Sequence, residues 1–157
     1  MDEKSRKQAL RMLSYGIYIL TSKAREDYCA ATVTWVSQAS FKPSMISVCI
    51  KRDSGSYTVV KERGEFVLHL LGERQKDLAA SFFKQTIING SYINGYQFTL
   101  QHDLPLITDV PAYLFCQVIE ILENGDHSLF LAEVKDAIVQ RDSNPLELKS
   151  TGWYYGG

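Results

Sequence analysis

The segment Ala30–Ser56, AATVTWVSQASFKPSMISVCIKRDSGS, constrains the fold more than any other part of the chain. It alternates small hydroxyl and β-branched residues (Thr32, Val33, Thr34, Val36, Ser37), turns at Pro43 and resumes as an apolar strand from Met45. It then runs into Lys51-Arg52-Asp53-Ser54-Gly55-Ser56, where a helix can begin. Backbone N–H groups, hydroxyls and cations gathered at a helix N-terminus match the needs of a phosphate monoester. The strand before them offers polar backbone edges on which a flat heterocycle can lie. The first expectation is therefore a β-barrel that holds a phosphorylated, ring-bearing cofactor.

Length and composition narrow the field. A chain of 157 residues fits one domain, and at this size folding buries about 68–70% of the unfolded surface. With 45% hydrophobic and 22% charged residues it reads as globular rather than disordered. A net charge of −1 gives no general attraction to nucleic acid or an anionic membrane, so any anion site must be local. Cys29, Cys49 and Cys116 are odd in number and form no CxxC pair, which argues against a disulfide framework or a zinc site and for a reducing cytoplasm. The opening MDEKSRKQALRML mixes both charges and does not read as a signal peptide. No apolar run approaches the ~20 residues of a membrane span.

Periodicity predicts a helix over residues 2–13, with Ala9, Leu10, Met12 and Leu13 as its apolar side. Strands are expected at Gly16–Ser22 and, after a polar turn at Lys23–Asp27, at Cys29–Ser37. Met45–Lys51 is apolar on both faces and reads as a central strand. A helix over Tyr57–Arg63 stops at Gly64, a strand follows at Glu65–Leu71, and a helix at Gln75–Phe83 turns Leu78, Ala79 and Phe82 inward. Residues 84–110 look looser, with Asn89-Gly90 and Asn94-Gly95 as turn signals. Pro111–Glu123 and His127–Arg141 read as a long hairpin about Asn124-Gly125. About six strands with two or three short helices, in one domain over residues 1–157, suggest an antiparallel barrel with helical additions.

The chemical motifs are few. There is no GxGxxG after a strand, no GxxxxGK[ST], no GxSxG and no His/Cys/carboxylate cluster with metal spacing. Lys51, Arg52, Ser54 and Ser56 are phosphate candidates, the plainer alternative being a solvated turn with a serine cap. Thr32 and Thr34 share one strand face, with Val33 and Trp35 on the other, as in any half-buried strand. His69, among Phe66, Leu68 and Leu70, reads as a packed core histidine. A histidine just after a hairpin tip, such as His127, is commonly an idle surface residue. Trp153, Tyr154 and Tyr155 suit a packing plug, a dimer contact or a lid over a ring.

Five blocks in order, ALRMLSYGIYILTS, AATVTWVSQASFKPSMISVCIKRDSGSY, GEFVLHLLGERQKDLAASFF, AYLFCQVIEILENGDHSLFLAEV and NPLELKSTGWYYGG, resemble the flavin reductase-like family. The likeness is closest to the flavin reductase domain of diflavin flavoproteins. It implies a mainly β fold, an FMN-binding split β-barrel with short flanking helices, and a homodimer. It also implies that Thr32, Val33, Thr34 and Trp35 line the isoalloxazine, with Ser37 and Gln38 near the ribityl chain. Cys49, Ile50, Lys51, Arg52, Ser54, Gly55 and Ser56 would hold the ribityl and phosphate, and Phe82, Phe83 and Lys84 would close the pocket. His127, in the Gly-Asp-His block, would sit near the nicotinamide. The chain departs from the family pattern at Ser44, where a second proline is usual, and at Ala132, where glycine is common; the latter narrows the nicotinamide approach.

The function implied is NAD(P)H-dependent reduction of FMN, with FAD as an alternative flavin and a partner oxygenase or other redox acceptor receiving the electrons. Two rivals remain at this stage. One is an FMN-containing electron-transfer flavoprotein reduced by a protein partner; the other is a flavin-free β-barrel binding module.

Overall fold

A computed structural model describes residues 1–157. Helix α1 (Glu3–Leu10) is started by Asp2, whose carboxylate accepts from the Lys4 and Ser5 N–H groups. No residue of α1 is buried, and Met12 beyond it is 80% exposed. The expected inward apolar side is absent because Glu3 to Gln8 are all polar, leaving no stripe to dock.

Strands β1 (Tyr18–Ala24) and β2 (Asp27–Val33) form a hairpin closed at Ala24↔Asp27. The remaining elements are β3 (Val36–Ser40), β4 (Met45–Lys51), α2 (Gly55–Arg63), β5 (Glu65–Leu70), α3 (Lys76–Ser81), β6 (Ile88–Asn89), β7 (Tyr92–Ile93), β8 (Tyr96–Gln101), β9 (Leu104–Ile107), β10 (Ala112–Leu122), β11 (His127–Val139) and α4 (Leu148–Thr151). No helix is long and apolar enough to cross a membrane.

Seven strands make an antiparallel sheet in the order β2-β1-β5-β10-β11-β4-β3. Its two outer strands, β2 and β3, are consecutive in the chain and joined only by Thr34 and Trp35. Such a link spans at most about 11 Å, so the sheet must curl until its edges meet. The expected single strand Cys29–Ser37 is thus two strands on opposite edges of the sheet. β4 lies one strand in from an edge, between β11 and β3, rather than at the centre. Register shifts between Phe115 and Cys116 and between Val118 and Glu120 bend the β10–β11 pair around the barrel.

Alternation along the strands separates two cores. Leu20, Val48, Phe66, Leu68 and Phe130 fill the barrel interior, joined by Val59 and Val60 of α2. Ile19 and Val67 face the other way, against Leu78, Ala79 and Phe82 from the α3 region and Ile93, Phe98 and Ile107 from a second sheet. That sheet, β6-β7-β8-β9, occupies the region read as loose. Its turns supply the order: Asn94 and Gly95 both take positive φ between β7 and β8, as a two-residue type I′ turn requires. His102 and Asp103 do so between β8 and β9, held by Arg63, which donates to both their carbonyls, and by Lys23 on the Asp103 carboxylate. Asn124-Gly125 is different. Neither takes positive φ, and the last β10–β11 pair is Leu122↔Leu129, so the loop is wider than the expected tight turn.

His69 ties the two layers together. Its Nδ1 donates to the Ile19 carbonyl at 2.9 Å and its Nε2 accepts from the Ile107 N–H at 3.0 Å, with the side chain fully buried. This is the neutral tautomer; a second ring proton would face a donor. Burial pushes its pKa down to about 4. The unfolded chain, with histidine near 6.5, binds more protons between those values, so stability rises with pH through that window. Urea titrations should show stability falling by roughly 3 kcal/mol from pH 6.5 to 4 on this account. His69→Leu should remove that slope and, by orphaning two buried backbone groups, cost about 2–4 kcal/mol at pH 7. An unchanged slope in the variant would contradict the assignment.

Candidate functional site

The barrel does not close completely. At the seam the Cys49 N–H donates to the Trp35 carbonyl at 3.0 Å and the Val36 N–H to Thr34 at 3.1 Å. The free edge of β2 is covered instead by the segment after α3, where Ala30 N–H donates to Thr86 Oγ1 and Thr32 N–H to the Phe82 carbonyl. A cavity of about 290 Å³ lies in this split. Its walls are the β2–β3 crossing, the end of β4, the start of α2, Phe82 and Phe83, and the aromatic segment Trp153–Tyr155.

The local sequence explains each wall. Ser54 caps α2, its Oγ accepting from the Tyr57 N–H at 3.2 Å. The helix runs for nine residues to Gly64, whose φ of 75° ends it. Its first N–H groups lack intrahelical partners and carry the positive end of the dipole. Ser54, Ser56 and Lys51 line the cavity at this end, and Lys51 Nζ is only loosely engaged, 3.6 Å from Asp53. Thr32 is already committed, donating from Oγ1 to the Ala79 carbonyl. Thr34 and Trp35 line the cavity, while Thr34 Oγ1 and Trp35 Nε1 themselves are buried with no partner in the protein. The polar groups that do line the cavity, Lys51, Ser54 and Ser56, gather where α2 begins.

Of the residues singled out from sequence, Thr32, Val33, Thr34, Trp35, Cys49, Ile50, Lys51, Ser54, Ser56, Phe82 and Phe83 converge on the cavity. Ser37 and Gln38 sit on exposed β3, past the crossing. Arg52, Gly55 and Lys84 do not line it, and Arg52 is anchored by its N–H to the Asp126 carbonyl. Ile17, Ala31 and Leu148 line it without any signal in the sequence, because only tertiary packing brings them there.

His127 adjoins one wall, in contact with the lining residues Trp35 and Tyr155. It pairs with Lys51 of β4, its ring centroid lies 4.5 Å from that of Trp35, and its side chain is 12% exposed. Asp126 Oδ1 is 2.9 Å from its Nδ1 and the Tyr155 hydroxyl 2.5 Å from its Nε2. The hydrogen bond from His127 holds the Asp126 carboxyl below the usual range, and burial raises the Tyr155 phenol above its own.

A split antiparallel barrel with a ring-sized cavity at the seam and a helix N-terminus at one end defines a cofactor-binding barrel. The chain matches the flavin reductase like domain over residues 10–156 and belongs to that family. It is 29% identical over 142 residues to the ferric-chelate reductase (NAD(P)H) of Archaeoglobus fulgidus, covering 88% of this chain and 84% of that protein. It is also 29% identical over 136 residues to diflavin flavoprotein A 1 of Synechocystis sp., covering 85% of this chain. The chain spans only about a quarter of that relative's length, 24%. Among solved structures, the styrene monooxygenase flavin reductase of Pseudomonas putida S12 superposes with a TM-score of 0.79 at 28% identity, covering 96% of this chain and 95% of that one.

Thiol chemistry checks the packing. Burial pushes the Cys29 and Cys116 thiols up to about 12, and raises half-buried Cys49 less. A small disulfide reagent at pH 8 should modify Cys49 in the native protein and reach Cys29 and Cys116 only after unfolding, as read by mass spectrometry. Equal labelling of all three would contradict this barrel.

Proposed function

We propose that residues 1–157 act as one NAD(P)H:flavin oxidoreductase unit that holds FMN in the seam cavity. The observation that carries this reading is a single cavity lined both by the β2–β3 crossing, Thr32 to Trp35, and by Lys51, Ser54 and Ser56 at the capped start of α2. Lys51, Ser54 and Ser56, with the first N–H groups of α2, suit the phosphate. The crossing residues Thr32–Trp35 suit the ring, and Phe82 and Phe83 exclude water from it. When bound, the flavin supplies the redox chemistry, accepting a hydride at N5 from nicotinamide C4. The protein's task is to hold the two rings within about 3–3.5 Å of each other. No side-chain base is needed for that transfer, in keeping with a site built from hydroxyls, backbone and aromatics.

An oxygenase or another acceptor would receive the electrons, a reading supported by the styrene monooxygenase flavin reductase among the structural relatives. A second reading, an FMN electron-transfer protein reduced by a protein partner, draws on the diflavin relative, of which this chain matches 24%. Anaerobic addition of NADH or NADPH to the FMN-loaded protein separates them. Bleaching of the flavin absorbance supports the reductase; bleaching by dithionite alone supports the second reading.

Removing Lys51 tests the phosphate end. A hydrogen bond to a charged group contributes ~1.5–3 kcal/mol, discounted because Lys51 is half exposed. Lys51→Ala should weaken FMN about 5- to 20-fold while leaving riboflavin nearly unchanged. Equal weakening of both would place the phosphate elsewhere.

The same reading includes a homodimer. Phe41 is 90% exposed and Val139 73%, with Ile119 and Leu122 half exposed on β10, large apolar side chains that a second copy can cover. Sedimentation at micromolar concentration should give twice the chain mass; a monomer with FMN bound would contradict it.

A further inference from the structure

The segment after α4 is docked residue by residue. Gly152 ends α4 with a φ of 79°, and the Trp153 N–H donates to Thr151 Oγ1. Trp153 lies edge-on to Phe83 at 4.9 Å, with Lys76 Nζ 5.1 Å from its ring and donating to the Thr151 carbonyl. Arg11 covers Tyr154 at 4.5 Å. Tyr155 sits 5.0 Å from Trp35 and 5.6 Å from His127, centroid to centroid. Gly156 takes a φ of 82°, and a Cβ there would come within 2.6 Å of Trp35 Cζ2, so only glycine lets the backbone lie on the indole. The segment therefore covers the cavity wall made by Trp35 and holds His127 at the same time.

The hydrogen bonds define what His127 can accept. The Asp126 carboxylate faces Nδ1 and can only accept, so in the neutral ring with Nδ1 protonated the remaining acceptor is Nε2. The Tyr155 hydroxyl, protonated at neutral pH, is the donor that fills it. Nicotinamide is likewise a flat ring with a donor at its edge, the carboxamide NH2 group.

We propose that Tyr155 is an internal stand-in for the nicotinamide, occupying the Trp35–His127 wall until the dinucleotide carboxamide replaces its hydroxyl at His127 Nε2. The proposal rests on the flavin reductase reading above and adds to it a residue that sets nicotinamide affinity. It also assigns a specificity: a carboxylate in place of the carboxamide lacks the donor, so the deamido dinucleotide should displace Tyr155 poorly.

The test begins with FMN titration of the native protein, because absence of FMN binding would overturn the flavin reading and this proposal with it. NAD⁺ and deamido-NAD⁺ are then titrated by calorimetry into FMN-loaded native protein and Tyr155→Phe. The variant keeps the ring and loses the competing donor, so NAD⁺ should bind it about 2- to 10-fold more tightly. Amide hydrogen exchange supplies a readout independent of turnover. Residues 153–156 should exchange faster in flavin-free Tyr155→Phe than in the native protein, and faster in FMN-loaded native protein once NAD⁺ is added. Unchanged or weaker NAD⁺ binding in Tyr155→Phe would make Tyr155 a fixed wall and overturn the proposal. Greater protection of 153–156 on adding NAD⁺, or equal binding of the deamido compound, would do the same.

Discussion

Two residues fix the shape of this protein. Thr34 and Trp35 carry the chain from one edge of a seven-stranded sheet to the other, and so short a link cannot cross an open sheet. Curling is compulsory once β2 and β3 take their places. The Cys49–Trp35 backbone hydrogen bond carries the β3–β4 pairing into the crossing, and the bulges in β10 and β11 supply the bend. The cavity follows from the same constraint. Edges that meet only at a crossing leave a split, and the residues of the crossing necessarily line it.

The surrounding parts are arranged around that split. The end of β4 delivers Lys51 to one end of the cavity, and the Ser54 cap aims the start of α2 at the same place. Phe82 and Phe83 follow α3 and bring its C-terminal end against β2. His69 holds the outer sheet to the barrel through Ile19 and Ile107, so the strand carrying Ile19 is gripped on the face away from the barrel interior. The crossing therefore sits on a braced hairpin rather than on a free edge.

Local signals were readable in the sequence, and long-range ones were not. The strand from Met45, the cations after it, the capped helix and its Gly64 stop are adjacent in the chain, so eleven of the cavity residues could be named from spacing and family resemblance. The crossing at Thr34–Trp35 was invisible because Cys29–Ser37 keeps a strand-like pattern straight through it; only pairing reveals two edges. The β6–β9 sheet was missed because strands of two residues carry no measurable period. Asn94-Gly95 makes the turn its residues favour, whereas Asn124-Gly125 does not, because pairing to β4 rather than β10 governs His127. The docking of Trp153–Gly156 depends on Arg11, Lys76, Phe83 and Trp35, four positions scattered through the chain.

The segment from Ala79 to Thr86 has a consequence for how the protein avoids misassembly. An uncovered strand edge is a template for another chain. Here the outward N–H groups of Ala30 and Thr32 are taken by Thr86 Oγ1 and the Phe82 carbonyl, while Thr32 Oγ1 reaches Ala79. Thr32 and Phe82 also wall the cavity. Local opening of this stretch therefore exposes an adhesive β edge and the cavity in a single event, and whatever steadies the cavity wall also guards the protein against edge-to-edge aggregation.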